Sequence, residues 1–400
     1  MPSWKSSVSC LTGAATSGSS VAATFDVAVV GLGAAGSATL QALARRGVRA
    51  IGLDRFHPPH TQGSSHGRSR VIREAYYESP VYVPLVRRAY EEWARIARDT
   101  GRTLLRQTGG LMIGPARGEL VAGALRSATT HGLPHELLDP DEIRRRFPVF
   151  NVGDDVVGLL EPRAGFLDPE ECVTGCLELA ARDGATIRTG NPVTGWRSSG
   201  EGLRLQCSAG AIDCGRAVLA AGPWLPALLG EATLPLTVER QVMYWFEPAA
   251  GAARFAPDRC PVFIWEWEPG RLFYGIPDHG HGFKAALHHE GLQVSPDRVD
   301  RNVGSGEMTA MQALLSRAIP DAPGRLRESA VCLYTNTPDH HFVLGPHPAE
   351  PRIVLASACS GHGFKFASAI GEVVADLVEA GKSELDLSAF APARFRYSEK

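Results

Sequence analysis

Long apolar runs are missing from this chain of 400 residues: nothing in it approaches the roughly 20 consecutive apolar residues that cross a bilayer. An excess of charge of one sign is missing too. With 41 Lys and Arg against 43 Asp and Glu, the formal charge is −2. That balance argues against a general binder of nucleic acid or of an anionic membrane surface, since both need concentrated positive charge. Cysteine is sparse. The 8 present form no CxxC pair and no zinc spacing, so neither a disulfide scaffold nor a zinc module is expected. Cys10, Cys172, Cys176, Cys207, Cys214, Cys260 and Cys359 read as ordinary thiols of a reduced compartment, and the expected address is cytoplasmic. Internal repeats are absent, and the one biased stretch is residues 1–24, rich in Ser, Ala, Thr and Gly. It lacks the continuous apolar segment of a secretory signal, so a disordered tail is expected, with an organelle transit peptide as the lesser alternative. The end, Tyr397-Ser398-Glu399-Lys400, carries no peroxisomal address.

What is present is enough apolar matter for a large core. At 44% hydrophobic residues over this length, two domains are expected.

The first ordered signal is Phe25-Asp26-Val27-Ala28-Val29-Val30, a short apolar run rich in β-branched residues, as a buried parallel strand should be. Gly31-Leu32-Gly33-Ala34-Ala35-Gly36 follows at once, then a helical pattern closed by Gly47 in the C′ position. A second strand, Val48 to Leu53, ends in Asp54. Gly31 permits the tight turn, Gly33 lets backbone N–H groups approach a pyrophosphate, and Gly36 allows close helix–strand packing. Asp54, 18 residues beyond Gly36, is placed to accept from ribose hydroxyls, which disfavours a 2′-phosphate. The order of elements therefore points to FAD or NAD. Arg216 to Trp224 is a further strand running into a small-residue turn. By pattern alone it is either a strand closing that nucleotide site from below or simply another buried strand.

The segment from His60 to Tyr76 holds Ser65, His66, Gly67, Arg68, Arg70 and Arg73 in a polar stretch with little periodicity. A surface loop is its default reading. Three arginines would be an odd choice for a simple connector, and Arg73 is a natural clamp for a carboxylate through bidentate hydrogen bonds. Lys284 stands in a mainly apolar run, where a surface lysine with its stem on apolar neighbours is the ordinary explanation. Trp265 and Trp267 alternate on one strand and so share a face. Such pairs are mostly core, and a pocket wall for a bulky or aromatic substrate is the alternative.

Four stretches carry a specific likeness: His60-Thr61 through Tyr76, Gly282-Phe283-Lys284, Cys332-Leu333-Tyr334-Thr335 and Gly361-His362-Gly363-Phe364-Lys365-Phe366. In these the chain resembles the monomeric sarcosine oxidase and N-methyltryptophan oxidase family of flavoproteins, over about Phe25 to Phe390. The resemblance implies an α/β fold, with a Rossmann-like FAD-binding domain and an inserted substrate domain on an antiparallel sheet. The FAD domain is expected to use residues 24–105, 150–235 and 330–390, and the substrate domain 106–149 and 236–329.

The likeness also implies roles. Cys332 resembles the covalent attachment point, a thioether to the flavin. Lys284 resembles the lysine over the flavin face where O2 is activated. Arg73 and Lys365 resemble the pair gripping the substrate carboxylate, with Tyr274, His288 and Tyr334 in the substrate pocket and His66 and Arg70 close to the flavin ring. Ser65, Gly67, Gly361, Gly363 and Phe364 fall in the stretches expected around the cofactor. Two departures, Arg68 where the sarcosine oxidases carry an acid and the tryptophan-rich Phe263 to Glu268, place sarcosine itself in doubt as the substrate.

The implied reaction is oxidation of a secondary α-amino acid, N-methyl or cyclic. Hydride passes to flavin N5, giving an imine, and O2 is reduced to H2O2 by a monomeric enzyme. Two other readings stand beside it: a biosynthetic flavoenzyme desaturating a cyclic imino acid, and a flavin subunit passing electrons to a protein partner. A nicotinamide dehydrogenase is more distant, since nothing past Asp54 resembles a nicotinamide pocket.

Overall fold

The first strand, Thr24–Val30, divides its side chains between two cores, which is why its stretch from Val27 to Val30 is apolar throughout. Val27 and Val29 face one way, onto the helices Ala34–Arg45 and Ala367–Ala380, while Ala28 and Val30 face the other, toward Leu203, Leu225 and Leu228. This computed structural model describes residues 24–229, 234–358 and 360–395. Cys10, Cys359, the N-terminal tail and Tyr397 to Lys400 lie outside the described residues.

Around the first strand, Ala50–Leu53 and Ile212–Leu219 pair in parallel, with Val27 opposite Ala50 and Ala28 opposite Ala217. Glu350–Ser357 adds in parallel beyond Ile212–Leu219, within a sheet of 8 strands. A two-sided parallel sheet of this kind needs helices on its faces. Packing against the first helix is close at Gly371, where a Cβ would sit 2.6 Å from the Ala38 backbone.

The second sheet has 9 strands and is mainly antiparallel. Its long strand Thr237–Phe246 pairs with Phe283–His288 and with Leu326–Asn336, setting Trp245 opposite Lys284 and Gln241 opposite Cys332. The strand period of two then sorts the residues. Val242, Tyr244, Phe246, Phe283, Ala285 and Val331 join a core capped by the helix Ser305–Ala318. Met243, Trp245, Ala286 and Cys332 face the opposite way, toward the first sheet. Two strands cross the boundaries expected from sequence: Val157–Glu161 and Leu326–Asn336 both pair within the nine-stranded sheet. Strand pairing is a non-local choice of register that composition does not reveal.

A small sheet of 3 strands, Arg70–Ile72, Leu105–Gln107 and Gly165–Leu167, anchors the polar segment between the two large ones. Among the described residues no helix is long and apolar enough to cross a membrane.

Candidate active site

A cavity of about 550 Å³ runs between the two large sheets, from the glycine turn after the first strand to the turn at Gly361–Lys365. Its nucleotide end is shaped by steric necessity. Gly31 has φ +90°, and a Cβ there would lie 2.5 Å from the Ala220 carbonyl oxygen. On Gly36 a Cβ would lie 1.7 Å from the Gly31 oxygen, so this glycine makes the helix–turn packing without lining the cavity. Ala220 and Ala221, which follow the strand Ile212–Leu219, line the same end of the cavity. Gly33 and Ala34 line the cavity at a helix start with no side-chain cap, an arrangement suited to a phosphate. Ser65 Oγ accepts from Ala34 N–H at 3.0 Å, tying the polar segment to that helix. Asp54 is buried and lines the same end. Its two oxygens accept from the N–H groups of Leu32 and Phe56, each at 2.7 Å, which leaves further lone pairs for hydroxyls.

At the other end the polar segment is buried rather than a solvated loop, with His66, Ser69, Arg73, Glu74 and Tyr76 all inside. Cys332 lines the cavity, and Arg70 Nη2 donates toward its sulfur at 3.4 Å and to the Ser64 carbonyl at 2.9 Å. His66 is adjacent but is not a lining residue. Burial, then the charges of Arg70 and Lys284, push it down to about 3, so it is neutral.

Lys284 differs from the surface lysine that its local sequence suggests: it is 0% exposed. Its Nζ donates to the carbonyls of Gly67 at 2.8 Å and Ser69 at 2.7 Å and sits 5.2 Å from the Trp245 ring centre. Neither Lys284 nor Gly67 lines the cavity. They lie directly behind Arg70, which does.

The substrate end collects Arg73, Lys365, Tyr274, Tyr334 and His288 on one wall system. Arg73 is already engaged. Its Nη2 donates to both oxygens of Glu78 at 2.9 and 2.7 Å, its Nη1 donates to the Ala75 carbonyl, and it stacks over Tyr76 and Tyr77. Burial alone would push Glu78 up, but Arg73, His362 and Lys365 together hold it below the usual carboxylate range. Lys365 Nζ donates to the His362 carbonyl at 2.7 Å and to Tyr76 Oη at 3.3 Å. Burial and then Arg73 push Lys365 down to about 7, so an arriving anion would favour its charged form. Tyr334 Oη and His288 Nδ1 are 3.3 Å apart, and burial keeps His288 neutral, well below its ordinary value. Gly361, at φ +76°, lies so close to these rings that a Cβ would meet Tyr334 at 2.6 Å and His288 at 2.8 Å. Gly363 and Phe364 complete that turn, with Phe364 stacked on Trp93.

The tryptophan pair takes the core place that such pairs mostly take, and the pocket-wall alternative falls away. Ile264 lines the cavity, whereas Trp265 and Trp267 face the opposite core with Phe150 and Phe273. Sequence reading also missed Glu78, Gln241 and Met243, which line the cavity. Alternation along Thr237–Phe246 could have flagged the last two.

The cavity fits a dinucleotide with a ring system at its far end. The glycine cradle, the helix start, Asp54 and Cys332 all line one continuous space. Comparison with known proteins agrees. The FAD dependent oxidoreductase family matches residues 26–377. The monomeric sarcosine oxidase of Streptomyces avermitilis is 44% identical over 375 residues, 93% of this chain and 98% of that one. The N-methyl-L-tryptophan oxidase of Yersinia pestis is 34% identical over 374 residues, 93% of this chain and 100% of that one. Among solved structures, NikD, an unusual amino acid oxidase essential for nikkomycin biosynthesis, superimposes in its open form with a TM-score of 0.81 at 25% identity, covering 92% of this chain and 97% of NikD. Matched over most of its length on each count, the chain belongs to the FAD-dependent oxidoreductases, among the monomeric sarcosine oxidases and N-methyl-L-tryptophan oxidases.

Proposed function

We propose that this enzyme oxidises a secondary α-amino acid, N-methyl or cyclic, with O2 as electron acceptor, acting as a monomer. The observation that carries the reading is the pair of buried cations, Arg73 and Lys365, at the end of a dinucleotide cavity beside Cys332. Burying a carboxylate costs several kcal/mol unless it is paired, so a second cation, Lys365, beside the Arg73–Glu78 pair marks a place for an anionic substrate group. Tyr274, Tyr334, Ile264 and Val71 supply apolar surface that excludes water from the remainder of the substrate. His288, held neutral, does not compete with Lys365 for the anion. Bound FAD supplies two-electron oxidation of the C–N bond and, in an oxidase, return of those electrons to O2 as hydrogen peroxide.

Anaerobic mixing of the yellow holoenzyme with N-methyl and cyclic amino acids should bleach the flavin absorption. A spectrum that stays fully oxidised with all of them overturns the reading. The likeness to NikD favours a second reading, biosynthetic oxidation of a cyclic imino acid. Product mass separates the two, because ring desaturation removes two hydrogens without N-dealkylation. Peroxide release by the isolated chain excludes transfer to a protein partner.

Covalent attachment through Cys332 belongs to the same proposal, supported by its place on the cavity wall and by the Arg70 guanidinium 3.4 Å from its sulfur. After acid denaturation the flavin should stay with the wild-type polypeptide and go into solution from Cys332→Ser. Free flavin from both would exclude the bond. A cytoplasmic address is proposed as well, supported by the described cysteines, all unpaired thiols.

A further inference from the structure

Arg73 reaches the cavity from a segment without regular structure, between the strand Arg70–Ile72 and the turn at Pro80–Tyr82. A long side chain on such a segment is aimed only as well as its backbone is held. The holding comes from the other sheet. Glu161 ends the strand Val157–Glu161, opposite Gly110, and is 1% exposed. Its Oε1 accepts from the Glu74 N–H at 2.6 Å and its Oε2 from the Ala75 N–H at 2.8 Å. Ala75 is held at both ends, because its carbonyl in turn accepts from Arg73 Nη1 at 3.0 Å.

The choice of a carboxylate is informative. Burial lifts Glu161 to about 7, and the buried Glu74 carboxylate, whose Oε1 lies 3.5 Å from Arg163 Nη1, sits beside it. Two successive N–H groups need two acceptor oxygens, which glutamine cannot offer, since its amide nitrogen would face an N–H donor to donor. Holding both amides with one side chain therefore takes a carboxylate, at the desolvation cost of keeping an acid buried here.

We propose that Glu161 is a positioning residue for substrate recognition: by clamping the Glu74 and Ala75 amides it sets the direction in which Arg73 meets an anionic ligand. The inference rests on the amino-acid oxidase reading, with Arg73 as carboxylate clamp. It adds a device by which the nine-stranded sheet orients an arginine carried on an irregular segment.

The test compares wild-type and Glu161→Gln holoenzymes at pH 8, where Glu161 is mostly ionised. The probes are methoxyacetate, a carboxylate shaped like an N-methyl amino acid, and its neutral counterpart 2-methoxyacetamide, both read by perturbation of the flavin spectrum. The variant should bind methoxyacetate about tenfold or more weakly, with amide binding changed less than twofold, because misdirecting a clamp acts on the charged contact alone. KM for the amino acid should rise by a similar factor, and the limiting rate of anaerobic reduction should change less. Equal weakening of both probes would mean a general loss of pocket shape, and unchanged methoxyacetate binding would mean no aiming role; either overturns the inference. Should Glu161→Gln not load flavin, Glu161→Asp, which withdraws the carboxylate by one methylene, carries the same comparison. A wild-type flavin that no amino acid reduces is a separate failure, of the oxidase reading itself.

Discussion

Replacing Lys284 by methionine is expected to slow reoxidation of the reduced holoenzyme by O2 by about 10²-fold or more, while anaerobic reduction changes only a few-fold. Reduction of O2 begins with an electron transfer that makes an anion. A fixed ammonium nearby favours that step more than it favours the ground state, and every ~1.4 kcal/mol is a tenfold rate. Lys284 is suited to this because its position is fixed: the carbonyls of Gly67 and Ser69 hold it directly behind Arg70 at the cavity wall. Burial, reinforced by Arg70, holds its pKa well below that of an ordinary lysine. The ammonium is therefore present at low pH and lost as pH rises through that lowered value. Wild-type reoxidation should fall with rising pH over that range, and the methionine variant should lose the dependence. Stopped-flow measurement of the two half-reactions decides the matter. Equal losses in reduction and reoxidation would show that the lysine supports the loop rather than the oxygen step.

Lys284 also shows where sequence stops being informative. In Phe283–His288 it sits among apolar residues, and local chemistry favours a snorkelling stem over a buried ammonium. Only the pairing of its strand with Thr237–Phe246 turns it inward, toward carbonyls of a segment more than 200 residues away in sequence. The nucleotide end was legible because its constraints are mostly local: Gly31, Gly33, Gly36 and Asp54 lie within one strand–helix–strand unit, where Gly36 packs on Gly31, Gly31 on Ala220 after a neighbouring strand, and Gly33 faces Ser65. At the other end only Arg73 was suggested by its own chemistry, whereas Lys284, Cys332 and Lys365, from distant segments, were legible only through resemblance. Ile264 and Trp265 mark the same limit from another side. Alternation says that neighbours on a strand face opposite ways, but it does not say which face is cavity and which is core.

Arg73→Ala should weaken binding of the amino acid by about 10²- to 10³-fold with flavin incorporation largely unaffected, because breaking a buried pair costs about 3–5 kcal/mol. The loss has two parts. One is the cation itself. The other is Glu78, which the variant leaves buried in the cavity without the guanidinium that now neutralises it, facing the place where a substrate carboxylate would sit. Removing that second charge should recover part of the affinity, so Arg73→Ala/Glu78→Gln should bind methoxyacetate more tightly than Arg73→Ala alone. A double-mutant cycle in these two positions, read by the same spectral titration and by KM, measures the coupling directly. A double variant no better than the single one would place Glu78 outside the reach of the ligand. Recovery would instead show that this carboxylate screens the arginine in the free enzyme, and that an incoming substrate must compete with an acid already in place for the cation that binds it.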